Sequence, residues 1–136
     1  MNIYNLKSNH ILNPIGFLMD TVTLSWIIDA PFGEELQGTR VIIALDENFE
    51  EVIHDSGMQA DLDPLWYQPE IQLQPRTRYF WKVIAKNAGG EEFSSEIQYF
   101  ETAKEEEQWT GKWIEPARQM ERMPLVRKLF RLPAKP

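Results

Sequence analysis

An antiparallel two-sheet β-sandwich is the fold this sequence predicts, and three observations carry the prediction. Seven short apolar segments follow one another at close spacing, separated by clusters of Gly, Pro, Asn, Asp and Ser. Several alternate with a period of two, most cleanly at Val22, Leu24, Trp26 and Ile28 and again at Tyr79, Trp81, Val83 and Ala85. No helical period of useful length competes with them, so an all-β layer architecture follows.

Residues 3–7 are short and mildly apolar, an edge strand. Asn13-Pro14-Ile15-Gly16 reads as a turn or bulge, because Pro blocks a ladder bond and Gly permits a kink. Residues 21–28 form the cleanest strand, with Thr21, Thr23 and Ser25 opposite its apolar face and Ile27 interrupting the polar one. A loop with Pro31, Gly33 and Gly38 leads to residues 39–45, which are β-branched and apolar on both faces and so read as a central strand. Asp46-Glu47-Asn48 is a turn, residues 51–54 a short strand, and Asp55-Ser56-Gly57 the turn that ends it. After the loop 61–64, residues 65–73 supply a strand that Pro69 confines to an edge.

Residues 73–90 organise the rest. Pro75 gives up a donor and belongs in the turn, Tyr79 to Ala85 alternate inward, Arg78, Lys82 and Lys86 alternate outward, and Asn87 to Gly90 accept positive φ. Residues 93–101, with Ile97, Tyr99 and Phe100, form the seventh strand.

A chain of 136 residues, 43% hydrophobic and with five Trp, suits one domain of ~100 residues plus an appendage. It has no Cys, which excludes disulfides, thiolate metal sites and cysteine nucleophiles. Read from Met1 as the natural start, residues 1–17 lack the apolar run of a signal peptide, and the expected location is cytoplasmic. No segment has the ~20 apolar residues of a membrane span. The net charge of −7 is uneven: residues 1–107 carry 7 Lys/Arg against 19 Asp/Glu, and residues 108–136 carry 7 against 2. An acidic body argues against nucleic acid as a partner.

Residues 73–90 resemble the fibronectin type III signature, with Leu73, Pro75, Thr77, Tyr79, Val83, Ala85, Asn87 and Gly89/Gly90 at its offsets, and Leu24-Ser25-Trp26 resembles its second-strand motif. A narrower resemblance rests on Pro14-Ile15-Gly16, Leu24-Ser25-Trp26, Asp55-Ser56-Gly57, Thr77-Arg78-Tyr79-Phe80-Trp81, Phe100-Glu101-Thr102 and Trp113-Ile114. These are similar to the N-terminal domain of bacterial α-L-rhamnosidases of glycoside hydrolase family 78. The resemblance implies a seven-stranded fibronectin type III or immunoglobulin-like sandwich over residues 1–103. It implies that residues 104–136 are a linker and the first strand, 124–132, of a following β-sandwich. The family's catalytic (α/α)6 barrel lies far downstream, so its carboxylates have no counterparts here. The expected role is a non-catalytic, structural module that packs against downstream domains of an inverting hydrolase.

Glu34/Glu35, Glu50/Glu51, Glu91/Glu92 and Glu105 to Glu107 are neighbours in sequence, and strand neighbours point to opposite faces, so such pairs do not flank one glycosidic bond. Asp55, Asp61 and Asp63 lack the spacing of a calcium loop, and His10 and His54 lack ligand spacing, so no metal, cofactor or catalytic residue is assigned. Trp26, Tyr79 and Trp81 are the expected structural core, with the Tyr79 hydroxyl bonded to loop backbone as a tyrosine corner. Trp66, Tyr67 and Phe80 are a candidate sugar platform, the feature of a rival reading as an independent carbohydrate-binding module; a protein-interaction domain is a third.

Trp109, Trp113, Ile114, Leu125, Val126, Leu129 and Phe130 form an apolar set expected at an interdomain or homodimer contact. With a basic tail on an acidic body, docking is expected over extension, either back onto its own body through the connector 103–123 or, the reading favoured slightly, by exchange of tails between two copies. Light scattering at one concentration should give a dimer for residues 1–136 and a monomer for residues 1–103. Two monomers with freely exchanging tail amides would reject it.

Overall fold

The computed structural model describes residues 1–104 continuously and residues 108, 110–112, 114, 127–129 and 131 beyond them. Its strands are β1 (Asn2–Ser8), β2 (Ile15–Phe17), β3 (Leu24–Asp29), β4 (Leu36–Ala44), β5 (Val52–Asp55), β6 (Arg78–Asn87), β7 (Glu92–Ser94) and β8 (Gln98–Thr102). The chain divides into two units, Met1–Glu106 and Glu107–Pro136. The strands among the described residues lie in the first; in the second, the described Ile114 and Leu129 are exposed.

Strand β6 assembles the larger sheet. Tyr79, Trp81, Val83, Ala85 and Asn87 are buried while the residues between them are at least partly exposed, the alternation its sequence dictates. Antiparallel β4 runs along one side of it, pairing Thr39 with Ala85, Val41 with Val83 and Ile43 with Trp81. Cross-strand partners share a face, so these β4 side chains join the same core. Ile42 and Ala44 are buried too, opposite Lys82 and Phe80, so β4 is covered on both faces. It lies between β5 and β6, the central position its composition predicts. The complete order is β2-β8-β6-β4-β5, with β7 also pairing β6.

The second sheet is β1 and β3, antiparallel, with Tyr4 opposite Ile27. Ile3 and Leu6 from β1, Leu24 and Trp26 from β3, and Met19 and Val22 ahead of β3 close the core against Val41, Ile43, Tyr79, Trp81, Val83 and Phe100. The architecture is therefore the expected all-β, two-sheet sandwich, with eight strands among the described residues.

The differences from the sequence expectation have physical causes. Residues 65–73 do not form a strand. Tyr67 and Leu24 exchange backbone bonds of 2.7 and 3.0 Å, the Trp26 N–H donates to Pro64 O at 2.9 Å, and the pairing stops there. Pro64 and Pro69 have no N–H to continue a ladder. Tyr67, Ile71 and Leu73 still pack against the core, which is the apolar signal the sequence carried. The segment 93–101 is split into β7 and β8, because the Ser95 N–H donates to Val83 O at 2.9 Å and the Ser95 Oγ accepts the Val83 N–H at 3.0 Å. A hydroxyl thus stands in for a ladder carbonyl, and the strand steps out.

The expected turn at 13–16 contains β2, which runs parallel to β8. The Glu101 N–H donates to Pro14 O at 2.8 Å, the Ala103 N–H to Phe17 O at 2.9 Å, and the Tyr99 N–H to Asn13 Oδ1 at 3.1 Å. Gly16, at φ +74°, lets this short strand kink between those anchors. Strand β3 starts at Leu24 rather than at residue 21, since Asn9 Oδ1 already accepts the Thr23 N–H at 2.7 Å. Strand β4 starts earlier than residue 39 and passes Gln59 so closely that a Cβ on Gly38 would sit 2.8 Å from Gln59 O.

One corner ties the chain together before β6. The Gln74 N–H donates to the Tyr79 hydroxyl at 2.6 Å, and the Tyr79 ring stacks on Phe100 with centroids 5.0 Å apart. Thr102 Oγ1 donates to Gln74 O at 2.6 Å and accepts the Thr77 N–H at 3.0 Å. Tyr79→Phe should cost about 1–3 kcal/mol, chiefly by leaving the Gln74 N–H unpaired. Trp26→Ala should cost about 3–5 kcal/mol through a cavity. Denaturant melts in which both variants behave as wild type would refute this account of the corner and core.

Candidate functional site

The candidate residues fall on three parts of the sandwich. Trp26, Tyr79 and Trp81 are buried in the core, where Trp26 meets Tyr67 edge-on at 6.1 Å. The indole Nε1 atoms of Trp26 and Trp81 are buried without an acceptor among the described residues, so their role is packing and not polar contact.

The outer face of the larger sheet carries the β6 residues of opposite parity. Phe80 meets Tyr99 at 6.4 Å, and the Arg78 guanidinium lies 4.6 Å from the centre of the Tyr99 ring. Arg78 also pairs with Glu101, at 2.9 Å from Nη2 to Oε2. Lys82 Nζ stands 4.2 Å from the centre of the Phe49 ring. Rings and charges on this face are therefore engaged with one another.

The third part is the margin where β5 meets residues 64–71. His54 shares a face with its partner Ile43, which is core-facing, and His54 Nε2 and the Tyr67 hydroxyl share a 2.7 Å hydrogen bond. Burial holds His54 below its ordinary value of 6.5, against the opposing charges of Asp55 and Glu70. Burial likewise pushes the Tyr67 hydroxyl up. On the other face, Arg40 makes a two-point ion pair with Asp55, with Nε to Oδ1 at 2.7 Å. That hydrogen bond, with help from the Gly57 N–H, holds the Asp55 carboxyl down to about 2. Beside this margin a shallow cleft of about 260 Å³ is lined by Leu45, Ile53, Glu70, Ile71, Gln72, Gln74 and Tyr79.

This geometry separates the three residues of the candidate sugar platform. Trp66 is 58% exposed and leans on His10 at 5.7 Å, Tyr67 turns inward to Trp26 and His54, and Phe80 lies on the outer face of the larger sheet. Residues 66 and 67 point to opposite sides, as neighbours in extended chain must. The paired glutamates within the described residues, Glu34/Glu35, Glu50/Glu51 and Glu91/Glu92, are exposed, and Glu105 to Glu107 lie outside those residues. Asp55 is committed to Arg40, and Asp63 Oδ1 accepts the Leu65 N–H at 2.9 Å as a turn cap. Among the described residues no group of three His, Cys, Asp or Glu is arranged to hold a metal ion. Of the tail set, Trp109, Trp113, Leu125, Val126 and Phe130 lie outside the described residues.

Sequence reading missed Asn13, Thr102 and Ser95, whose side chains bond to backbone far away in the chain, and Asp46, whose carboxylate accepts the N–H groups of Asn48, Glu50 and Glu51. Asp46 and Asn13 had a signal, each opening a turn.

Comparison with known proteins gives a consistent result. Residues 3–106 match the model of the Rha78A-like, N-terminal immunoglobulin domain. Among solved structures the chain is similar to the α-L-rhamnosidase of Streptomyces avermitilis complexed with L-rhamnose, at 28% identity and a TM-score of 0.66, over 85% of this chain and 12% of that one. It is similar also to the α-L-rhamnosidase of Dictyoglumus thermophilum, at 27% identity and a TM-score of 0.67, over 85% and 14%. The chain thus spans about one eighth of the length of these structures. No curated protein matches it.

The two perturbed groups at the β5 margin make stability depend on pH in two windows. His54 is held low, so the unfolded chain takes up the proton first; its contribution is complete above about pH 6.5 and is lost as pH falls below that. Asp55 is also held low, so its contribution is present above about pH 3.8 and is lost on the way down to about 2. Urea midpoints measured from pH 8 to pH 2 should fall in both windows. His54→Gln should flatten the upper fall and Asp55→Asn should reduce the lower one; variants that leave both slopes as in wild type would reject the assignment.

Proposed function

The chain belongs to the Rha78A-like, N-terminal immunoglobulin domain family, and on that premise we propose that it is a non-catalytic accessory module at the N-terminus of an α-L-rhamnosidase-type glycoside hydrolase. Its work is mechanical: it spaces and packs against downstream domains of the same polypeptide. The observation that carries this reading is one of proportion. An immunoglobulin-like unit accounts for nearly all of the matched residues here, yet corresponds to only 12% and 14% of two α-L-rhamnosidases.

The arrangement of acids supports it. Glycoside hydrolysis needs two carboxyl groups facing each other across one bond, roughly 5–9.5 Å apart according to the stereochemical course. The exposed glutamate pairs within the described residues are sequence neighbours, and the Asp55 carboxylate is occupied by Arg40. The parent enzyme would hydrolyse terminal α-L-rhamnosyl bonds with residues supplied beyond this module.

Two measurements test the proposal. The purified chain should release no nitrophenol from an aryl α-L-rhamnoside above a buffer blank; turnover that disappears on mutating one of its own acids would overturn the non-catalytic assignment. The reading frame beyond Pro136 should continue for several hundred residues with the pattern of a helical barrel. An immediate stop codon would overturn the assignment to a larger hydrolase.

A further inference from the structure

The stretch around β2 holds large apolar side chains out in solvent. Ile11, Leu12, Ile15, Phe17 and Leu18 are all exposed, and they fall within eight consecutive residues. Isolated exposed apolar residues are ordinary on protein surfaces, but so many within eight residues of an unpaired sheet edge are not. β2 is the terminal strand of the larger sheet, paired on one side only.

This edge is also held firmly. Pro14 is fully buried and its carbonyl accepts the Glu101 N–H; Asn13 Oδ1 accepts the Tyr99 N–H; the Phe17 carbonyl accepts the Ala103 N–H. Three anchors from β8 and the residue after it therefore fix the backbone that displays Ile15, Phe17 and Leu18. The last of the three anchors is Ala103, directly after β8, so the last described strand of this unit ends beside this same edge.

We propose that the β2 edge, centred on Ile15, Phe17 and Leu18, is the surface on which a following domain of the same polypeptide docks through an apolar patch of its own. The inference rests on the accessory-module reading above. The similar enzymes place some seven eighths of their length outside the matched region, which gives a following domain to dock. Attachment beside the edge raises the local concentration of that domain there over any separate partner.

The test uses the absence of cysteine in this chain. Leu18 and Leu65 are equally exposed, at 70% each, but Leu65 is in the segment beside β3 and far in sequence from β2. Leu18→Cys and Leu65→Cys are prepared in the 136-residue chain and in the polypeptide extended through its next domain. Maleimide labelling of each site is followed by mass spectrometry. The expected result is a fall of tenfold or more in labelling rate at position 18 in the extended polypeptide, with little change at position 65. Equal rates at position 18 in both proteins, or equal protection of both positions, would overturn the proposal. Protection at position 18 that grows with concentration in the 136-residue chain would overturn it in favour of a second copy. A reading frame that stops at Pro136 would remove the hydrolase reading itself, whereas a frame that continues with position 18 still open removes only this docking surface.

Discussion

Strand β6 is hydrogen-bonded along both sides, to β4 on one and to β7 and β8 on the other, and every other side chain on it must enter the core. That double obligation constrains the rest. Register with β4 brings Val41 and Ile43 into the core; register with β8 sets Phe100 opposite Tyr79, with the two rings stacked. A slip of one residue would turn Trp81 and Val83 to solvent and bring Lys82 inside. The Tyr79 hydroxyl works against such a slip from the start of the strand, because its bond to the Gln74 N–H exists in one register only.

What the sequence made legible follows from this. β6 and β3 carry a period-two signal that only one face of a half-buried strand produces, and Val22, Leu24, Trp26, Tyr79, Trp81, Val83 and Ala85 are all buried. β4 was legible for the opposite reason, an apolar run long enough to be covered on both faces. Residues 65–73 misled because apolar content reports burial and not backbone pairing; Tyr67, Ile71 and Leu73 reach the core from a chain that Pro64 and Pro69 bar from a ladder. β2 was hidden because three residues broken by Gly16 carry no period at all, and parallel pairing with β8 joins positions about 86 residues apart.

The candidate site was less legible than the fold. Phe80 and Tyr67 share an aromatic character that sequence cannot sort by direction until strand parity and the fate of 64–71 are known. Structure assigns Phe80 to the Tyr99 and Arg78 side, and Tyr67 to Trp26 and His54. The acids tell the same story: Asp55 looked like a turn residue and is one, through the Gly57 N–H, but its partnership with Arg40 depends on a register between β4 and β5 that no local pattern announces.

The parallel pairing of β2 with β8 also sets how the module bears load. In a parallel pair, tension applied ahead of β2 and beyond Thr102 acts along the strands, so the bonds at Pro14 and Phe17 are sheared together and not peeled one by one. Forced unfolding is governed by the height of that barrier, not by equilibrium stability. Pulled between the start of β2 and the end of β8, the pair therefore resists more than a hairpin pulled open from its ends.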